Sequence, residues 1–219
     1  KFETLTGLVA PLVIDDVNTD LIIPIQHCIN VARAQLGRYA FEPIRYLAGG
    51  ADNPEFILNR PCFREAPILL GGINFGCGSS REPAVWALTG LGIRAVIARS
   101  FGGIFYANCL RNGLLPIALP AQAHDRLVAL TAGDQPVTLT IDLHRCEIVL
   151  PDRTIVPFEI EAARRHALLE GLDEIGQTLL SMQEIVSFQE MDRARRPWIW
   201  ETVPEVSSPP PGGSPSSGA

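Results

Sequence analysis

The chain has 219 residues, 47% of them apolar and 19% charged, a balance that suits a globular protein with one sizeable core or two small ones. Its formal net charge of −6 argues against nucleic acid as a principal partner, and no apolar run reaches membrane-spanning length. The opening residues carry neither the basic end nor the long apolar centre of a secretory signal, and the five cysteines are scattered and odd in number. Reduced thiols in a cytoplasm are therefore expected rather than a disulfide framework or a self-contained metal site.

Residues 6–14 are rich in β-formers and read as the first strand. The run DDVNTD follows, in which Asp15 and Asp16 read as turn formers, while Asp20, set against the apolar LIIP, reads as a buried acceptor that holds a basic group. Residues 25–60 are irregular and helical in places, broken at GGADNP (49–54). A strand is expected at 66–70, a helix from Pro83 closing at Gly90 or Gly92, and a buried strand at 93–98, which together make a βαβ-like unit. A second loop, SFGG (100–103), opens a helix to about Asn112, with Gly113 placed to end it. Beyond it come a strand at 114–119, a helix at 120–131, a hairpin of 137–141 with 146–150, a short strand at 154–158 and a helix at 159–170. A loop at 171–176 and a helix at 183–195 complete the folded part. This gives one domain over 1–200, followed by a Pro/Gly/Ser-rich tail over 201–219 that cannot bury enough apolar area to order itself.

The stretch with the strongest chemical character is 71–88, GGINFGCGSSREPAVWAL. Its glycines allow positive φ and close approach of the backbone to a ligand. The helix that follows leaves its first N–H groups unpaired, which favours a bound anion, and Pro83 fits the first helical turn. The loop thus reads as a cradle for negative charge, with Arg81 as a two-pronged donor to a carboxylate. Ser79-x-x-Glu82 is also a capping box, and taken alone that is the plainer reading. The loop matches neither a dinucleotide fingerprint, nor a P-loop, nor a nucleophile elbow. Cys77 reads as small-residue packing, and His27, His124, His144 and His166 show no ligand spacing to one another.

Four ordered stretches, VNTDLIIP, NFGCGSSRE, SFGGIFYANCLRNGLLPI and FEIEAARRHALLEGLDEIGQTL, resemble the small subunit of 3-isopropylmalate dehydratase, the detached swivel domain of the aconitase superfamily. The resemblance runs in register over residues 5–188. It implies an α/β fold of the three-layer β/β/α swivel type that works beside a large subunit. That aconitase-like partner would carry the 4Fe–4S cluster, with no metal held here. The implied reaction isomerises 2-isopropylmalate and 3-isopropylmalate by dehydration and rehydration, in leucine biosynthesis. Residue by residue, Ser79 matches the serine base of aconitase-type sites. Gly78, Ser80 and Arg81 match the substrate-binding loop, and Asp20 matches the aspartate of the TD motif, a polar partner of these groups. A serine serves as base only if its alkoxide is heavily stabilised. Five units of pKa correspond to roughly 7 kcal/mol, beyond the ~2 kcal/mol of a helix N-terminus.

Two departures bear on the substrate. GSSRE continues with Pro83-Ala84 where the family usually has His-Ala. After IIP the family commonly carries an aromatic followed by leucine, where this chain has His27-Cys28, in the segment the resemblance associates with the substrate side chain. A related hydro-lyase for another branched diacid (of dimethylmalate or citraconate type) and a non-catalytic module binding organic anions remain alternatives at this level.

Overall fold

The computed structural model describes residues 1–133 and 135–200. The expected tail at 201–219 lies outside the described residues. The chain forms two compact units, Lys1–Gln177 and a second that begins at Thr178, so the division falls short of the boundary expected at 200.

In the first unit a seven-stranded sheet runs in the order β4-β3-β2-β1-β5-β6-β7. Strands β1 (Thr4–Pro11), β2 (Ile68–Leu70), β3 (Ala95–Ala98) and β4 (Leu115–Ala118) are parallel neighbours. Strands β5 (Thr138–Asp142), β6 (Glu147–Val149) and β7 (Ile155–Pro157) continue antiparallel from the other side of β1. The two halves divide β1 between them: Thr4 to Leu8 pair with β5, and Val9 to Pro11 pair with β2.

Alternation along the strands sorts the side chains into two cores. Val9, Ile68, Leu70, Ala95, Ile97 and Ile117 point to one face and share a core with Leu139, Ile141, Ile148 and Val156 of the antiparallel strands. The antiparallel half therefore folds over the parallel half. Ala10, Leu69, Val96 and Ala98 face the other way, into a core lined by helices. The result is the three-layer β/β/α arrangement. Its helical layer includes α1 (Thr19–Ile22), α2 (Ile25–Asn30), a 3₁₀ helix (Arg33–Tyr39), α3 (Glu42–Arg45), α4 (Glu82–Gly90) and α5 (Gly103–Arg111). Helices α6 (Ala121–Thr131) and α7 (Ala162–Glu170) lend Leu127 and Leu168 to the core between the half-sheets.

Most elements lie within a residue or two of the sequence expectation. Gly113 has the left-handed φ of +73° that ends α5, as expected of the residue after a helix cap. The first strand begins and ends earlier than expected: it pairs from Thr4, the Leu12 amide makes its last bond to the Leu70 carbonyl at 2.8 Å, and 12–14 run on as loop. Helix α8 (Glu174–Leu180) begins inside the expected 171–176 loop, where Asp173 Oδ1 accepts from the Gly176 amide at 2.7 Å and starts the turn. The second unit carries α9 (Met182–Arg195) and α10 (Pro197–Trp200), where the Asp192 carboxylate receives Arg196 Nε at 2.6 Å and Trp200 Nε1 at 3.0 Å.

Candidate active site

Three segments converge at the carboxyl ends of β1, β2 and β3, the position at which open parallel sheets place ligands. The loop after β2 lies between the other two. On one side Gly76 donates to the Val17 carbonyl at 2.7 Å and Thr19 donates to the Cys77 carbonyl at 3.0 Å. On the other side Phe75 donates to the Ser100 carbonyl and Gly102 to the Phe75 carbonyl, both at 2.9 Å. Asp15 Oδ1 accepts the Ile73 amide and Asp16 Oδ1 accepts Asn74 Nδ2, each at 2.7 Å. The two acids read as turn formers in the sequence therefore staple the loop to the end of β1. From α6, the buried His124 donates from Nε2 to the Gly71 carbonyl at 2.7 Å, a satisfied core histidine.

Two glycines shape the loop. Gly76 has φ of +74°, and any side chain there would enter the ring of Phe105, which packs edge-on against Phe75. Gly78 has φ of +86°, and a side chain there would make only ordinary contacts with Asn18 and Thr19, so conformation rather than room requires glycine.

The loop delivers Ser79 and Ser80 to solvent, both exposed and with no partner for either hydroxyl among the described residues. Thr19, fully buried, donates its Oγ1 to the Ser79 carbonyl at 3.0 Å and so fixes the backbone below the hydroxyl. The capping box expected of Ser79 and Glu82 does not form. Arg81 is the N-cap residue of α4 and makes no side-chain cap bond; Ser79 lies two positions before that cap and Glu82 is the first helical residue, so neither holds its place in a capping box, and the Glu82 carboxylate accepts from Asn112 Nδ2 at 2.7 Å. The amides of Gly78, Ser79, Ser80, Arg81 and Glu82 have no protein acceptor among the described residues.

Arg81 forms a hydrogen-bonded ion pair with Asp20 through Nη1 and Oδ1. Asp20 thus holds a basic group as expected, but it is exposed rather than buried, with a side chain 57% accessible beside an Arg81 side chain only 16% accessible. Helix α1 buries Thr19 and Ile22, which turns the intervening Asp20 outward. Asn18 caps that short helix by accepting the Leu21 amide at 2.8 Å.

Of the two residues after IIP, Cys28 is half-buried, packs against the helical core and lies in the field of the Arg81–Asp20 pair. Burial pushes its thiol pKa up, with Arg81 opposing and Asp20 adding to the shift. Burial likewise raises Cys77, whose Sγ donates to the Asp16 carbonyl at 3.4 Å. His27 is engaged by the fold: its ring stacks on Tyr39 at 3.9 Å, and its Nε2 lies 2.6 Å from Glu42 Oε2. The structure therefore gathers Asp20, Cys28, Gly78, Ser79, Ser80 and Arg81 in one region, with His27 committed to its neighbours.

Residues 1–122 match the family model described as the aconitase C-terminal domain, a span that contains every segment of the site. The chain is 47% identical over 199 residues to a 3-isopropylmalate dehydratase small subunit from Dinoroseobacter shibae, covering 91% of this chain and 99% of that protein. It is 48% identical, again over 199 residues, to the same subunit from Rhodospirillum rubrum, covering 91% and 96%. The chain belongs to the 3-isopropylmalate dehydratase small-subunit family. A crystal structure of 3-isopropylmalate dehydratase from Methanocaldococcus jannaschii superposes with a TM-score of 0.61 at 28% identity, over 85% of this chain and 99% of that one. The swivel fold expected from the resemblance is thus the fold of the family. Asn112 and Thr19 are parts of the candidate site that the sequence reading missed. Asn112 acts across thirty positions, and a threonine one place before the aspartate of a TD motif gives no sign of where its hydroxyl points.

Among the described residues no three His, Cys, Asp or Glu side chains converge as a metal site, and Cys28, Cys62, Cys77, Cys109 and Cys146 are all free thiols. An iron–sulfur cluster takes three or four thiolates from one neighbourhood. The donors of this chain do not fit that group. Among the described residues, no helix is long and apolar enough to cross a membrane.

Proposed function

We propose that this chain is the small subunit of an isopropylmalate hydro-lyase and supplies the carboxylate-binding and proton-transfer half of the site to a large aconitase-like subunit. Its substrate is 2-isopropylmalate or 3-isopropylmalate, interconverted by loss and return of water in a cytoplasm, where five free thiols are at home. The 4Fe–4S cluster belongs to the large subunit in this reading, and no step of this chain's chemistry is drawn through it.

One observation carries the reading: a chain nearly half identical to such small subunits presents a serine hydroxyl that has no partner among the described residues, beside free amides and a guanidinium with a vacant edge. Asp20 occupies Nη1 of Arg81, leaving Nε and Nη2 to take a substrate carboxylate. Removal of a proton next to a carboxylate builds charge on that carboxylate, and the Gly78–Glu82 amides together with Arg81 are fixed donors placed to receive it. Ser79, held by its carbonyl through Thr19, is the base that takes the proton. The Pro83 departure leaves this geometry whole, because Pro83 sits in the first turn of α4, where an N–H has no acceptor to lose.

The test is reconstitution with a large subunit and assay of the isopropylmalate interconversion. Ser79→Ala is expected to lower kcat by about a thousandfold or more, the scale of removing a reacting base, with unchanged thermal stability because Ser79 caps nothing. Activity within tenfold of wild type would remove Ser79 from the role of base.

A further inference from the structure

Glu82 is the first residue of α4, next to Arg81 and three positions from Ser79. A carboxylate in the first turn of a helix is attracted by the unpaired N–H groups there. In the structure Glu82 does not turn to them. Glu82 Oε1 accepts from Asn112 Nδ2 at 2.7 Å, at the C-terminal cap of α5. The Asn112 amide is held by all its neighbours: Oδ1 accepts from Trp86 Nε1 at 2.8 Å and from Arg33 Nη2 at 3.1 Å, and Nδ2 also donates to the Asn108 carbonyl at 2.9 Å. Arg33 in turn stacks over the Trp86 ring at 4.7 Å. With two donors on its oxygen, the amide can present only its nitrogen to Glu82, so its orientation follows from the network.

We propose that Asn112 is a positioning residue that holds the Glu82 carboxylate away from the Ser79–Arg81 cradle, so that the substrate's carboxylate, and not the chain's own, meets the free amides and Arg81. The inference rests on the reading of the cradle as the dicarboxylate site. Without the Asn112 N–H, Glu82 loses a charge-assisted hydrogen bond, and the unpaired amides at the start of its own helix then compete for it with the Trp86 and Arg33 donors released from Asn112 Oδ1. A carboxylate tethered one residue from Arg81 is present at an effective concentration in the millimolar range or above, enough to compete with a small diacid. Asn112 thereby sets affinity without touching substrate.

The experiment uses the reconstituted complex. Asn112→Ala is expected to raise KM for isopropylmalate about tenfold while kcat falls less than about threefold, the signature of ground-state competition. Adding Glu82→Gln to that background removes the competing charge and supplies no new contact, yet KM returns to within about threefold of wild type. A double variant as poor as Asn112→Ala, or poorer, would mean that the loss came from packing, and the inference falls. It falls equally if Asn112→Ala leaves KM within twofold. A crystal structure of the Asn112→Ala chain reads the same point without substrate. Glu82 lying against the amides of Ser80 to Glu82 supports the inference, and Glu82 still beside α5 or out in solvent overturns it. Failure of the wild-type complex to turn over isopropylmalate would instead remove the substrate assignment, and the crystal structure would still decide the role of Asn112.

Discussion

Arg81 has one guanidinium nitrogen on Asp20 before any substrate arrives, and in the proposed reading the remaining edge of the fork recognises a second carboxylate. A lysine keeps the charge and can keep Asp20, but it offers no second edge in a fixed plane. Arg81→Lys is therefore expected to raise KM at least about tenfold and to lower kcat as well, since the lost donors act where charge develops. Steady-state kinetics of the reconstituted enzyme checks this, and a variant with wild-type constants would show that Arg81 serves only to anchor Asp20. The residue scale also shows what letters alone concealed. Asp20 and Arg81 were legible as partners because a carboxylate before an apolar run and an arginine after a glycine loop each need one. Their exposure was not legible, because it depends on which side of a four-residue helix the core takes.

The loop after β2 is an element whose sequence and geometry agree almost position by position, and its glycines carry unequal loads. At Gly76 a methyl group would meet both an unfavourable φ and the Phe105 ring, so Gly76→Ala is expected to cost roughly 2–4 kcal/mol from strain and overpacking together. At Gly78 a methyl group would meet only ordinary contacts with Asn18 and Thr19, and Gly78→Ala is expected to cost about 1–2 kcal/mol from φ alone. In thermal melts that difference separates the two variants by several degrees, and equal melting temperatures would show that the Phe75–Phe101–Phe105 packing yields easily. Glycine spacing announced this loop, hydrophobic runs announced β2, β3 and β4, and β-forming residues announced β1. Ser79-x-x-Glu82 misled because a capping box needs the helix to start at residue 80, whereas α4 starts at Glu82 with Arg81 as its cap, and the Glu82 carboxylate goes to Asn112. Helix α8 was missed for a similar reason, since a stretch with two glycines reads as loop until Asp173 is seen to cap its first turn.

The whole first unit leaves its cradle on an open surface, and that sets a limit on what it can do by itself. Two unit charges 4 Å apart attract by about 1 kcal/mol in water but about 4 kcal/mol at a partly covered protein surface. The isolated chain is accordingly expected to bind isopropylmalate no more tightly than the millimolar range, to show no turnover, and to carry no iron, because its thiols lie apart. Calorimetry and metal analysis of the purified chain check all three, and stoichiometric iron or turnover by the chain alone would overturn the division of labour between two subunits. A covering subunit would strengthen each fixed donor simply by excluding water.

Strand β1 is the hinge pin of the architecture, parallel to β2 through its last residues and antiparallel to β5 through its first. Its partners in β5 lie about 130 residues further along the chain. During synthesis at roughly 5–20 residues per second, the first strand leaves the ribosome on the order of ten seconds before the strand it must pair with exists. Through that interval an apolar edge, TLTGLVAP, waits without its antiparallel neighbour, and loop closure over such a span makes the pairing slow even once both strands are present. The helical face beyond β2, β3 and β4 can assemble first, leaving the region around Ser79 formed while the other end of β1 is still open to solvent. A nascent chain of this kind is most exposed to aggregation just before its last third is made.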